Sequence, residues 1–441
     1  MNTFWIALLL VTEIVIFLIA FNGDWISPSI VTLILFMLST ACCLIGVSDW
    51  KNVTFTGKAY LLFSMSFIIM ALVEKGTAKC KIVIGKKSLY NYNLKNSKCI
   101  ILIKKPFDVI LFIIFVFCAC YYVYRVIKSG LSLGAAGILH AIGANKEDGD
   151  FDTVARLLYN MVRMASYVYV VMLSNNIIVC RQRMMEYKKE LLIVFLTILM
   201  TVFSGQRSSA ICYVAGIVVA VFISVYNHNG GFHKKEIRKY FWKSARVAAA
   251  LLVVFFLSAN IVKNTNSERA FVDYMVYYFG STTALMGNIV VDPNVCHNPF
   301  VGYFGEKTFQ GFWNTMYKWG VVPQAPADRR WINMGSHIVN RAGNEYTFFC
   351  GPYIDFGFCG TLIFVAMFFC FFSYLYYWKI RKCPMSIDKV KNMAIYLFLF
   401  AMVIMTFYQD TIRSYSRPIN ILYILYIDVF CKIFLELKKV E

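Results

Sequence analysis

Long apolar stretches, separated by connections that alternate in charge, constrain this chain more than any other feature. Leu191–Phe203, Ile211–Val225 and Phe358–Trp378 carry no charged residue. A helix crossing the hydrocarbon core of a bilayer needs about 20 such residues. The chain has 44 Lys and Arg against 24 Asp and Glu, and the basic residues crowd nearly every second connection. That alternation is how a polytopic membrane protein declares its orientation. With 59% hydrophobic and only 15% charged residues over 441 positions, a chain of two or three soluble domains is excluded. The net charge of +20 does not point to nucleic acid, because it sits between spans. Loops facing an anionic membrane leaflet account for it.

The pattern predicts an all-α polytopic membrane protein with eleven spans, near 4–21, 29–46, 58–73, 107–127, 157–179, 190–204, 209–226, 247–262, 353–377, 392–408 and 418–436. Connections 74–106, 180–189, 227–246 and 378–391, with the tail from Lys432, hold 27 of the 44 basic residues. All five share one parity, which makes them cytoplasmic and places the N-terminus outside and the C-terminus inside. Three regions follow: 1–262 with eight spans and basic cytoplasmic loops, an outer loop at 263–352, and 353–441 with three more spans. Met1–Trp5 has no basic residue, so the first apolar stretch is expected to be a retained span rather than a cleaved signal.

The fourteen cysteines show no zinc or redox spacing, and Cys42, Cys43, Cys118, Cys120 and Cys370 fall inside spans as small hydrophobes. Cys296 and Cys350 share the large loop and are a candidate disulfide in an oxidising compartment. In Glu306–Gly320 the residues Phe309, Phe312, Trp313, Met316 and Trp319 follow helical spacing. The pattern suits an amphipathic helix lying in the membrane interface, or one packed on top of the bundle.

Lys and Arg divide unevenly between the two sides. The cytoplasmic connections hold about 22 Lys and five Arg, the outer side about seven Lys and ten Arg. Arg207 sits in the turn Gly205-Gln206-Arg207-Ser208, too short to leave the membrane surface. Arg156 and Arg163 are seven apart on one helix face, and Arg413 and Arg417 flank Tyr415 before Pro418. The large loop adds Arg329, Arg330 and Arg341. Arginines near a span are functional candidates, and they grip phosphate oxygens in a bidentate way. Snorkelling to headgroups is the alternative for Arg156 and Arg417. Converging arginines suit an anionic lipid-linked ligand, a diphosphate above all.

The segment Asn340-Arg341-Ala342-Gly343-Asn344-Glu345-Tyr346-Thr347 leads through Asp355-Phe356-Gly357-Phe358-Cys359-Gly360 into the ninth span. Asn, Tyr, Glu and Asp offer hydrogen-bonding edges to a sugar. A carboxylate or His is needed to deprotonate an attacking hydroxyl, and Glu345, Asp355, His337, Asp273 and Glu306 are the candidates. Asp355 also has a helix-capping reading, and Glu345 an ion-pair reading with Arg341. Gly357 and Gly360 are spaced for close helix packing. There is no Gly-rich nucleotide loop or HExxH. Asp150-Phe151-Asp152 is a DxD match, read as a solvated outer loop and alternatively as a weak divalent-ion site. Glu13 is an isolated acid inside the first span, with a proton-coupled transport role as its minor reading.

Ten to twelve spans, the Gly205-Gln206-Arg207 turn, the large late loop, the Asn344-x-Tyr346-Thr347 element and Asp355–Gly360 together resemble the Wzy-type O-antigen and capsular oligosaccharide repeat-unit polymerases. The Arg-x10-Gly pattern of some members is not found at Arg207, Arg330 or Arg341. The resemblance implies a GT-C-like glycosyltransferase of the bacterial inner membrane. It would join undecaprenyl-diphosphate-linked oligosaccharides, as donor and acceptor, at the periplasmic face, with no cofactor, metal or nucleic acid. Catalytic roles would fall to Arg207, Arg341, Glu345, Asp355 and His337. Substrate contacts would come from Arg163, Gln206, Asn340, Asn344, Tyr346, Arg413, Tyr415 and Arg417. Membrane lipid and a polysaccharide chain-length regulator are candidate partners. An O-antigen ligase and a transporter or flippase of lipid-linked oligosaccharide are the alternatives, though the chain lacks the internal repeat common in transporters.

Overall fold

Backbone in hydrocarbon must satisfy its own hydrogen bonds, so apolar stretches of this length become helices. The computed structural model describes residues 2–80, 98–131, 153–204, 207–229, 270–296, 300–327, 332–334, 342–343 and 346–440. In chain order the elements are α1 (Asn2–Ala20), α2 (Pro28–Gly46), α3 (Gly57–Lys79), β1 (Cys99–Ile103), α4 (Lys105–Leu131), α5 (Thr153–Ser174) and α6 (Lys188–Phe203). There follow α7 (Arg207–Asn229), α8 (Ala270–Val291), α9 (Gln310–Lys318), β2 (Ile332–Asn333), β3 (Ala342–Gly343) and α10 (Cys350–Tyr374). The chain closes with α11 (Ile387–Ile404), the short α12 (Ile412–Tyr415), α13 (Ile419–Phe434) and β4 (Leu435–Lys439).

Among the described residues, eight helices are long and apolar enough to cross a membrane: Asn2–Ala20, Pro28–Gly46, Gly57–Lys79, Lys105–Lys128, Thr153–Val179, Ser208–His228, Cys350–Arg381 and Ile387–Phe407. The protein is thus mostly helical and polytopic in character. Two further expected spans form helices of only 16 residues, α6 and α13. The stretch 247–262 lies outside the described residues. Large apolar side chains point outward from these helices, among them Ile19, Leu72, Phe117 and Ile363. Polar ones point inward, including Glu13, which is buried and accepts a hydrogen bond from Thr40 Oγ1 at 2.9 Å.

The chain forms two compact units: Met1–Lys81, Asn266–Tyr377 and Met402–Ile421 make the first, and Ile82–Thr265, Trp378–Ala401 and Leu422–Glu441 the second. In the first, α1, α2 and α3 pack on one another, α8 packs on α2, and α10 packs on α3. Its core is aromatic. Phe349 lies 5.1 Å from Phe63 and 5.6 Å from Phe36, which lies 5.0 Å from Phe67.

Hydropathy places 270–291 in the outer loop, whereas the structure makes it the 22-residue helix α8. Tyr277, Tyr278, Ser281, Thr282, Thr283 and Asn288 depress its apolar character. Several of those polar groups are matched by neighbours rather than by water. Ser39 Oγ donates to the Phe279 carbonyl at 2.7 Å and meets Thr283 Oγ1 at 2.7 Å, and Thr282 Oγ1 donates to the Phe407 carbonyl at 2.8 Å. The Asn288 side chain accepts from the Thr54 amide at 2.6 Å and donates to the Asn52 carbonyl at 2.8 Å.

In the second unit, α4, α5 and α6 pack together, and α7 packs on α6 and on the π-helical turn Asn175–Val179 that continues α5. The strands β1 and β4 form an antiparallel ribbon with Cys99 opposite Lys439 and Ile103 opposite Leu435. Tyr167 packs against Tyr213 and Phe398, and Tyr213 hydrogen-bonds Ser166.

Gly280 sets the closeness of α8 and α2. A Cβ there would lie 2.5 Å from the Cys43 amide nitrogen and 2.7 Å from the Cys42 carbonyl carbon. Backbone cannot step aside as a side chain can. Gly280→Ala is therefore expected to cost about 1–3 kcal/mol, read as a lowered thermal unfolding midpoint in detergent.

Candidate functional site

Loop 300–327, in the first unit, is where the described candidate residues gather. Gly302 (φ 102°) and Gly305 (φ 60°) turn the chain sharply before a buried ion pair. Lys307 is 0% exposed, and its Nζ lies 3.0 Å from Glu306 Oε1. The same ammonium donates to the Ala327 carbonyl at 3.2 Å and sits over the Phe300 ring at 5.2 Å. Glu306 Oε2 accepts from the Val301 amide at 2.8 Å and the Gly302 amide at 3.1 Å. Burial alone would push the Glu306 carboxyl up. The Lys307 ammonium and the two amides outweigh that and hold it below the ordinary Glu range.

Asp355 binds this loop from α10. Its Oδ1 accepts from the Lys307 amide at 3.1 Å, while Oδ2 accepts from the Thr308 amide and hydroxyl, both at 2.7 Å. Asp355 therefore caps no helix of its own; it clamps a loop 47 residues away in sequence. Two residues later Gly357 adopts φ 67°, ψ −164°, a conformation open in practice only to glycine, and breaks α10 into two helical pieces. A Cβ at Gly360 would collide with the Phe356 side chain, so the second glycine makes room for that break. Both glycines thus serve the turn beneath Asp355, in place of the expected helix-packing role.

The other side of the loop rests on α12. A Cβ at Gly311 would strike the Arg413 carbonyl and lie 2.8 Å from Arg417 Cγ. Ser416 Oγ lies 3.3 Å from the Phe312 amide, which donates to it. Asp410 is buried and accepts from the Gly351 amide at 3.2 Å through Oδ2. Arg413 and Tyr415 are half-buried and Arg417 is exposed. Asp355, Arg413 and Arg417 are thereby joined through one short loop.

Other candidates fall elsewhere. Tyr346, expected to face a ligand, is fully buried with Thr347, because Phe348 and Phe349 draw this stretch into the aromatic core. Arg163 lies in the second unit, its guanidinium 5.3 Å from the centre of the Tyr159 ring. Arg207 opens α7, and its side chain lies outside the described residues, as do Gln206, His337, Asn340, Arg341, Asn344, Glu345 and the Asp150–Asp152 pair. Cys350 is buried, and the Cys296 side chain lies outside the described residues. Among the described residues no group of three or more His, Cys, Asp or Glu is placed to hold a metal.

The expected helix over 306–320 is present as α9, Gln310–Lys318. Trp313 stacks on Tyr303 at 4.8 Å, while Trp319 is 65% exposed and Phe304 76% exposed. Residue typing missed Lys307, Thr308 and Asp410. Asp410 had one usable signal, as the lone acid in the short Gln409–Arg417 connection between two spans. Family models, characterised proteins and solved structures give no match to the chain.

Replacing Lys307 by Met would strand a buried carboxylate, with an expected loss of about 3–5 kcal/mol. Folding lowers the Glu306 pKa, so its contribution is fully present above the ordinary Glu value of about 4.3 and is lost as pH falls below it. Acid titration of the unfolding midpoint should show that loss, and Glu306→Gln should remove it. Gly357→Ala is expected to cost about 1–3 kcal/mol, measured by the same unfolding assay.

Proposed function

We propose that this protein is a glycosyltransferase of the bacterial inner membrane that polymerises undecaprenyl-diphosphate-linked oligosaccharide repeat units at the periplasmic face. The observation that carries the reading is that Asp355 and the Arg413–Arg417 turn both hold the loop 300–318. Segments that the polymerase resemblance marks, far apart in sequence, thus converge on one polar, aromatic-rimmed loop. The exposed Phe304 and Trp319 suit a loop seated in the membrane interface, where amphipathic rings partition. A lipid-linked sugar diphosphate presents itself at that depth.

The chemistry is a displacement. The bond between the anomeric carbon of the donor sugar and its diphosphate oxygen breaks, and a bond from the acceptor hydroxyl oxygen to that carbon forms. Arg413, with Arg341 of the same unit, would neutralise the charge that grows on the departing diphosphate. The acceptor proton goes to a carboxylate or imidazole. Asp355 and Glu306 have their oxygens engaged by loop amides and Lys307, so Asp355 acts as a positioning residue and the base falls to Glu345 or His337. The diphosphate linkage itself supplies the driving force. Basic connections then face the cytoplasm, with the N-terminus periplasmic and the C-terminus cytoplasmic.

Arg413→Ala and Arg341→Ala, each in a strain lacking the chromosomal copy, test the reading. Losing one such donor should cut long-chain polysaccharide by about 100-fold or more, with the protein still present in the membrane. On a gel, lipid A carrying a single repeat unit is the polymerase outcome. Lipid A carrying none would move the reading to a ligase, and an unchanged ladder would remove both arginines from the mechanism.

A further inference from the structure

Glu13 is the one ionisable residue of α1, and the transferase reading gives it no task. The inward stripe of α1 is Ile6, Leu9, Glu13 and Ile16, which sets a carboxyl among three aliphatic side chains near the middle of the helix. Glu13 is 0% exposed. Its Oε1 accepts from Thr40 Oγ1, near the middle of α2, at 2.9 Å. Its Oε2 is buried and has no hydrogen-bond partner. A buried polar atom left open in this way needs a physical account.

The fold does not supply one. Other buried acids of the first unit complete backbone. Glu74 accepts from the Ser29 amide at 2.7 Å and the Tyr377 hydroxyl at 3.1 Å, and Asp24 from the Ile26 amide at 3.3 Å and the Tyr376 hydroxyl at 2.9 Å. Glu13 completes no backbone group. Nor do the helices packed on α1, which are α2 and α3, offer it a cation. α2 carries no charged residue, and those of α3, Lys58, Glu74, Lys75 and Lys79, stand toward its two ends. The other titratable groups on these two helices are the Cys42 and Cys43 thiols and the Tyr60 hydroxyl, which lies 3.2 Å from Thr12 Oγ1.

A buried carboxylate without a counter-ion is so costly that the group takes up a proton instead. A proton needs no cavity to bind in. We propose that Glu13 is a proton-exchange site inside the membrane: it holds a proton on Oε2 while α1 is packed on α2, and releases it when opening of that contact admits water. On release the O–H bond breaks, its electron pair stays on Oε2, and water takes the proton. The bare carboxylate then opposes reclosing until a proton returns, so proton supply sets how firmly α1 is held. Ionisable residues that face a bundle interior commonly carry proton movement of this kind. Thr40 adjoins Ser39, whose hydroxyl meets Thr283 Oγ1 on α8 at 2.7 Å, so the contact that Glu13 governs borders the polar tie between α2 and α8. The proposal stands apart from the transferase reading, in which Glu13 has no part.

The test is infrared difference spectroscopy on the full-length protein reconstituted in phosphatidylcholine, with pH stepped in both directions and the medium exchanged between light and heavy water. The expected spectrum holds a carboxylic-acid C=O band that is lost reversibly as pH rises, shifts in heavy water, and vanishes in Glu13→Gln. Thr40→Val removes the hydrogen bond to Oε1 and should move the band without abolishing it, which assigns the band to Glu13 even where the Gln variant fails to fold. Absence of any such band overturns the proposal, as does a band that neither titrates nor exchanges, which would make Glu13 a fixed neutral group. A band that Glu13→Gln retains, that Thr40→Val leaves unmoved, or that sodium displaces at constant pH overturns it equally.

Discussion

Inside a bilayer no backbone amide can turn to water, and the architecture of this protein follows from that deprivation. Helical ladders meet the demand along most of the chain. Where the ladders stop, a polar side chain takes over. Asn288 serves the backbone of Asn52 and Thr54, Asn176 that of Ile101, Asp355 that of Lys307 and Thr308, and Glu306 that of Val301 and Gly302. So apolar a chain buries these polar groups because each completes backbone that would otherwise be stranded.

This assignment changes which residues are free for chemistry. Asp355 and Glu306 look like catalytic acids when judged by type, yet both are committed to holding a loop. Their commitment leaves that loop an ordered platform, closed further by Tyr303 on the Gln324 carbonyl and Gln310 on the Ala327 carbonyl, at 3.0 and 3.3 Å. Binding energy is not consumed in ordering a surface that is already ordered. Arginines placed against such a platform through Gly311 can be held to a fixed geometry, which matters more for charge stabilisation than their number.

Periodicity and length were enough to read most of the helices, because a helix that must cross hydrocarbon announces itself residue by residue. The expected spans 4–21, 29–46 and 58–73 correspond to Asn2–Ala20, Pro28–Gly46 and Gly57–Lys79. α8 escaped because hydropathy charges each Tyr, Thr and Asn as though it faced solvent, when Thr282 and Asn288 face backbone. The role of Asp355 escaped for another reason: its partner amides lie 47 residues off, and no local pattern carries that distance. Lys307 reads as an ordinary surface charge until its complete burial is seen. Local chemistry was legible, and long-range pairing was not.

The amide of Asn176 has one more consequence. Among the described residues β1 pairs with β4 along one side only, and a two-stranded ribbon has an open edge on which any extended segment can add itself. By meeting both backbone groups of Ile101, Asn176 gives that edge a side chain where a third strand would otherwise dock. It acts as a terminator, occupying the backbone groups through which the ribbon would otherwise grow.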